Sequence, residues 1–187
     1  MDGAPVKQGW FTTQGRLGDR TLEQQMIGLD RVRQLVKGKS VLDVGCAEGL
    51  ISIEMAKAGA RMVHGVEIVR AHVDCATELA YKAGVKCGFY CHDANLWTPD
   101  RPYDVILLLS ILHKFRDPSA AASRFARSCT EWCIVRLPPK DAPTIVDWRS
   151  GEVPHHIARV MTDEGFHLEQ TALGPLDEWV GYFRRAE

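Results

Sequence analysis

From Ser40 onward the apolar positions fall into short continuous runs, separated by stretches where they recur every three or four residues. A short continuous run marks a strand buried on both faces, and the wider period marks an amphipathic helix. The pattern predicts strand 40–45 with helix 49–58 stopped by Gly59, strand 61–67 with helix 70–83 stopped by Gly84, and strand 86–92. Pro99 and Pro102 discourage a full helix in the next connection. Strand 103–109 leads to a helix over 118–128, with Asp117-Pro118 as cap and first-turn residue. Strand 131–136 ends at Pro138-Pro139, and a helix near 154–164 stops at Gly165. Phe166 to Leu173 and Glu178 to Arg185 then bracket Gly174-Pro175 as a hairpin. Ahead of this alternation, Leu22, Met26, Leu29, Val32 and Val36 predict one helix over 21–36, with Lys37-Gly38-Lys39 as its stop. Strands alternating with helices imply a doubly wound α/β sheet.

Composition narrows the function classes. The chain has 187 residues, 45% of them hydrophobic and 25% charged, which suits a compact domain with a two-sided core. We divide it into an N-terminal polar segment and helix over 1–39, acting as cover, and a main domain over 40–187. A formal net charge of −1 gives no global pull toward nucleic acid or an anionic surface. No run approaches the length of a membrane span, and Met1 to Pro5 lacks the basic and then apolar regions of a signal peptide, so a cytoplasmic address is expected. Cys87/Cys91 and Cys129/Cys133 have a spacing that invites zinc, but both pairs fall in strands that the expected fold does not make neighbours. No metal is expected, and the cysteines read as small buried hydrophobes.

The segment from Val41 to Leu50 (VLDVGCAEGL) joins a buried strand to a helix through a turn containing Gly45 and Gly49. Such a turn lets a ligand lie against the backbone. A dinucleotide fingerprint counted from Gly45 needs glycine where Ala47 and Leu50 stand, so a pyrophosphate ligand is disfavoured. The Asp43-x-Gly45-x-x-x-Gly49 spacing instead resembles motif I of the class I S-adenosylmethionine-dependent methyltransferases, with Ala47 in place of a middle glycine. The resemblance extends over about 40–185. It implies a three-layer α/β/α fold with a mostly parallel seven-stranded sheet whose last strand is antiparallel. It also implies that the turn residues Asp43, Gly45, Cys46, Ala47 and Gly49 cradle the methionine part of S-adenosyl-L-methionine.

Ligands of open α/β sheets sit beyond the carboxyl ends of the strands. Glu67 closes the second strand, 24 residues after Asp43, and a carboxylate there can accept both hydroxyls of a ribose. The resemblance assigns Glu67, followed by Ile68, to the cofactor ribose, and Asp93-Ala94 after the third strand to adenine. The fourth strand runs into Ser110-Ile111-Leu112-His113, similar to the family's motif IV region under the transferred methyl. Ser110 is then a cofactor contact. For His113 two roles stay open, a general base or a packing and hydrogen-bonding residue. Trp10-Phe11, Arg16, Arg20 and the stretch from Lys140 to His156 are candidate cover. Adjacent His155 and His156 point apart on a helix and make a poor metal pair. The expected reaction is methyl transfer to oxygen or nitrogen of a small molecule. Two alternatives are a tRNA-type RNA methyltransferase, disfavoured by the neutral charge, and a non-catalytic binding protein that keeps the fold.

Overall fold

The computed structural model describes residues 21–138 and 153–187. In chain order the elements are α1 Leu22–Met26, α2 Val32–Leu35, β1 Ser40–Val44, α3 Leu50–Lys57, β2 Met62–Glu67, α4 Arg70–Lys82 and β3 Gly88–Cys91. They continue with β4 Tyr103–Leu109, α5 Pro118–Arg127, β5 Cys129–Leu137, α6 Val153–Asp163, β6 Phe166–Leu173 and β7 Trp179–Arg185. The strands form one seven-stranded sheet in the order β3-β2-β1-β4-β5-β7-β6. β7 runs antiparallel to both of its neighbours, and the other pairings are parallel. This is the mixed sheet that the alternating pattern and the terminal hairpin imply.

The central strand shows why the sheet is covered on both faces. Ile106 and Leu108 of β4 enter one fully buried cluster, with Phe125 of α5 and Met161 of α6. Their neighbours Val105 and Leu107 enter the other, with Met55 of α3. Side chains alternate across a strand, so an all-apolar β4 feeds two cores. Each such side chain contributes roughly 1.5–3 kcal/mol on burial. Leu29, Val32 and Val36 from the N-terminal segment are also fully buried, in the second cluster.

Several predicted boundaries change. The single helix expected over 21–36 is two short pieces, because Gly28 adopts φ +77° between them. A Cβ at Gly28 would lie 2.6 Å from the Leu173 carbonyl oxygen, so close packing against the end of β6 selects this break. Within the expected strand 86–92 only Gly88–Cys91 pairs, whereas β5 extends past the expected 131–136 to Cys129 and Leu137. The extension arises because Cys129 pairs with Tyr103 across a register shift in β4. Between β3 and β4 the described chain makes turns and no helix, as Pro99 and Pro102 require.

Gly49 caps α3 in the left-handed region at φ +72°, where an L side chain costs about 1–2 kcal/mol. A Cβ there would also sit 2.7 Å from the Phe89 ring and 2.9 Å from the Ala76 Cβ. We therefore expect Gly49→Ala to destabilise the fold by about 2 kcal/mol, combining that strain with mild overpacking. Chemical denaturation followed by circular dichroism measures this.

Candidate functional site

A cavity of about 590 Å³ opens at the carboxyl ends of β1, β2, β3 and β4. The size suits a cofactor-sized ligand. Of the ten residues expected to hold the cofactor, nine line it: Asp43, Gly45, Cys46, Ala47, Glu67, Ile68, Asp93, Ala94 and Ser110. His113 lines it as well. Gly49 does not. It takes φ +72° in the turn, and a Cβ there would meet the Phe89 ring and the Ala76 Cβ, so backbone geometry and close packing already require a glycine.

Ala47, standing where a third glycine was sought, itself takes a left-handed conformation at φ +49°. Side-chain chemistry holds it there, because the Ala47 N–H donates to Glu67 Oε2 at 3.1 Å. The other carboxylate oxygen, Oε1, accepts from Ile68 N–H at 2.9 Å and Val69 N–H at 3.0 Å. A carboxylate offers about four lone-pair sites, so three backbone donors leave acceptor capacity on Glu67 at the cavity wall.

Asp43 is 3% exposed, and its Oδ2 accepts from the Ser52 hydroxyl of α3 at 2.6 Å. Burial raises its pKa from 3.8 to about 6, against the pull of the Ser52 hydrogen bond and of Arg136, with Glu67 adding a smaller upward push. A buried carboxylate of that kind is suited to a cationic ligand, which would stabilise its charged form. The Cys46 thiol is pushed well above its usual range by burial and then by Asp43, so it stays neutral.

On the opposite side, Asp93 Oδ1 accepts from the Asn95 backbone N–H at 2.8 Å and its side-chain amide at 3.0 Å, which holds the carboxyl below its ordinary range. His92 stacks on Trp97 beside it, with ring centroids 5.9 Å apart and planes 8° from parallel. His113 stands on a short 3-10 turn, Leu112–Lys114, that follows β4. Its imidazole is 5% exposed, and Nδ1 is buried with no hydrogen-bond partner. Burial, helped by the charge on Lys114, lowers its pKa from 6.5 to about 4. The ring is therefore neutral at neutral pH and available as an acceptor.

Ser110 lies one residue past β4 at φ +52°. Its N–H donates to the Arg136 carbonyl at 2.8 Å, and its hydroxyl accepts from Arg136 Nε at 3.0 Å. Arg136 itself lines the cavity near the end of β5 and is ion-paired with Glu178 at 3.2 Å. Sequence reasoning passed over Arg136, Glu178, Gln25 and Ser52. The one available signal was a lone cation near the end of the otherwise apolar stretch Trp132 to Leu137.

The remaining candidates fall elsewhere. Trp10-Phe11, Arg16, Arg20, Trp148 and Arg149 lie outside the described residues. His156 Nε2 pairs with the Ser119 hydroxyl at 2.7 Å, tying α6 to α5 away from the cavity. Cys91 ends β3 and Cys87 just precedes it, whereas Cys129 and Cys133 sit on β5, with β2, β1 and β4 between the two strands. Burial pushes the Cys129 thiol up to about 12 and Cys133 well above its usual range, against the thiolate form a metal needs.

Comparison with known proteins places the chain beside methyltransferases. A family model described as a methyltransferase domain matches residues 41–131. The chain is 31% identical over 127 residues to the ubiquinone biosynthesis O-methyltransferase of Coxiella burnetii, covering 66% of this chain and 52% of that protein. It is 40% identical over 83 residues to the 27-O-demethylrifamycin SV methyltransferase of Amycolatopsis mediterranei, covering 43% of this chain and 30% of that protein. The chain thus spans about half the length of the Coxiella relative. Among solved structures, magnesium protoporphyrin IX methyltransferase from Synechocystis PCC 6803, with bound SAM, superposes with a TM-score of 0.72 at 23% identity. That match covers 88% of this chain and 80% of the other.

Proposed function

Because the chain belongs to the class I S-adenosylmethionine-dependent methyltransferase family, we propose that it transfers a methyl group from S-adenosylmethionine to a small-molecule acceptor. Oxygen is the favoured acceptor atom, since the Coxiella and Amycolatopsis relatives are named for O-methylation. The observation that carries the reading is the convergence of Asp43, Glu67, Asp93 and Ser110 on one cavity from four successive strand ends.

The donor set fits the cofactor. Glu67 has acceptor capacity left and would take the ribose hydroxyls, Asp93 would accept from adenine, and the Gly45 to Ala47 turn with Asp43 would hold the methionine part. When bound, S-adenosylmethionine supplies an electrophilic methyl on a sulfonium. The protein's contribution is placement: aligned partners at near-attack distance gain on the order of 7–11 kcal/mol over free collision. In this reading Ser110 marks the methyl end of the cavity, and Leu109, Ile111 and Phe115 give its apolar walls.

His113 faces the acceptor and takes a hydrogen bond from its hydroxyl. With a pKa near 4 it is a weak proton acceptor, so its contribution lies at or below the low end of the ~10²–10⁴ typical of general bases. His113→Ala should lower kcat about tenfold to hundredfold while leaving S-adenosylhomocysteine affinity within about threefold. An unchanged kcat would assign the ring to packing alone.

Calorimetry with S-adenosylmethionine and S-adenosylhomocysteine tests the core of the proposal, and binding of neither would overturn it. Conversion of S-adenosylmethionine to S-adenosylhomocysteine over a panel of hydroxylated aromatic compounds tests transfer. Affinity without turnover on any of them would favour a binding protein that retains the fold.

A further inference from the structure

Four residues distant in the chain meet at the acceptor end of the cavity. Arg136 Nη1 donates to the Gln25 carbonyl of α1 at 2.7 Å, and Nε donates to the Ser110 hydroxyl at 3.0 Å. The same Nε lies 3.2 Å from Glu178 Oε2, just ahead of β7. Arg136 and Glu178 are 5% and 0% exposed, and Gln25, Ser110 and Arg136 all line the cavity. We propose that Arg136 is a positioning residue: its guanidinium clamps the α1 turn and the Ser110 turn to one another, and so fixes the shape of the acceptor end. The inference rests on the methyl-transfer reading for what that end receives, but the clamp can be tested without it.

Three physical points support a clamp over simple stabilisation. First, desolvating two ions offsets most of their attraction, so a fully buried pair contributes little net stability compared with apolar residues of the same size. What it does impose is geometry, because a guanidinium presents its donors in a rigid planar fork. Second, α1 cannot hold its own position. It has five residues, far below the length at which a helix is stable alone, and Met26 is its one buried residue. Its N-terminus is closed by a reciprocal cap, Gln24 N–H to Thr21 Oγ1 at 3.2 Å and Thr21 N–H to Gln24 Oε1 at 2.7 Å. Near its C-terminal end, Arg136 takes the Gln25 carbonyl, one of the helix-end acceptors that short helices leave without an internal partner. Third, Ser110 is held in a left-handed conformation that a non-glycine residue rarely adopts, bracketed by the backbone carbonyl and the side chain of Arg136. One residue thus sets both the floor and the near wall.

Hydrogen exchange read by mass spectrometry on the full chain, with and without S-adenosylhomocysteine, separates these roles. A lysine at this position keeps the charge facing Glu178 but is a point donor that cannot span Ser110 and Gln25 together. We expect R136K to speed exchange across 22–29 about tenfold while the amides of β1 and β4 keep wild-type protection. S-adenosylhomocysteine should slow exchange in α1 of the wild type and fail to do so in R136K. S110A leaves the α1 arm and the ion pair in place, so it should preserve α1 protection in the free protein and lose the added protection on ligand binding. It also serves if R136K does not fold. In a folded R136K, unchanged α1 exchange, or loosening of β1 and β4 as great as that of α1, would overturn the clamp. S110A with wild-type ligand-induced protection would also overturn it. If the wild type fails to bind S-adenosylhomocysteine yet R136K still loosens α1 alone, the methyl-transfer reading fails and the clamp stands.

Discussion

Replacing Glu67 with alanine is expected to raise the dissociation constant for S-adenosylhomocysteine roughly a hundredfold. The Glu67 carboxylate does two jobs at once. It lines the cavity with acceptor capacity to spare, and it takes the backbone N–H groups of Ala47, Ile68 and Val69. Losing hydrogen bonds from a ligand to a charged acceptor costs about 1.5–3 kcal/mol each, and 1.4 kcal/mol is tenfold in affinity. A second loss follows, because without the carboxylate nothing draws Ala47 into its left-handed conformation and the Gly45 to Ala47 turn relaxes. The free protein should therefore also lose about 1–3 kcal/mol of stability, from donors left without an acceptor. Calorimetry and denaturant titration on the same variant measure the two effects. Wild-type affinity in Glu67→Ala would show that the ribose does not sit there, whatever happens to stability.

The second large effect is expected from Asp43 and appears as a pH dependence. Its folded pKa of about 6 lies above the unfolded 3.8, so the folded state binds more protons between those values. Ionising Asp43 in the unliganded protein therefore costs stability progressively as pH rises through that window. The cost is complete by about pH 7, at roughly 3 kcal/mol. Asp43→Asn keeps an acceptor for Ser52 and removes the charge, so at pH 7.5 it should be more stable than wild type by about 1–3 kcal/mol.

Ligand binding should run the other way. A cationic cofactor needs Asp43 ionised, so affinity for S-adenosylmethionine should fall about tenfold from pH 7 to pH 5 in the wild type. In Asp43→Asn it should be weaker and nearly flat. His113, with a folded pKa near 4 against 6.5 unfolded, acts on stability with the opposite sign. Its neutral form is the folded one, so stability is lost as pH falls from about 6.5 toward 4. In the wild type the two groups partly cancel between about pH 4 and 6, and the variant comparison is what isolates Asp43. A flat wild-type affinity between pH 5 and 7 would remove Asp43 from the ligand's charge.

The strand ends were legible in the sequence for a simple reason. A strand covered on both faces must be apolar throughout, so the first polar residue after it marks both its end and the rim of the sheet. Ser110 follows β4 directly and Glu67 closes β2, while Asp43 lies one residue before the end of β1 and Asp93 two residues after β3, and all four line the cavity. Gly49 shows where such reading stops: a glycine required by backbone dihedrals and close packing looks the same in sequence as one required by a ligand. The continuous helix over 21–36 was misread because apolar spacing persists across Gly28. The contact that breaks the helix there comes from Leu173, far along the chain.

The sequence alone therefore determined the alternating strands and helices, the terminal hairpin and the acids at the strand ends. All of these follow from local periodicity and the dihedral limits of proline and glycine. Tertiary structure decided the rest. It placed Glu178 against Arg136, joined Gln25 to Ser110 through the Arg136 guanidinium, turned Ala47 left-handed and raised the pKa of Asp43. These depend on desolvation and on contacts between segments remote in the chain. Both arise only when the packed sheet excludes water and brings such segments within hydrogen-bond reach.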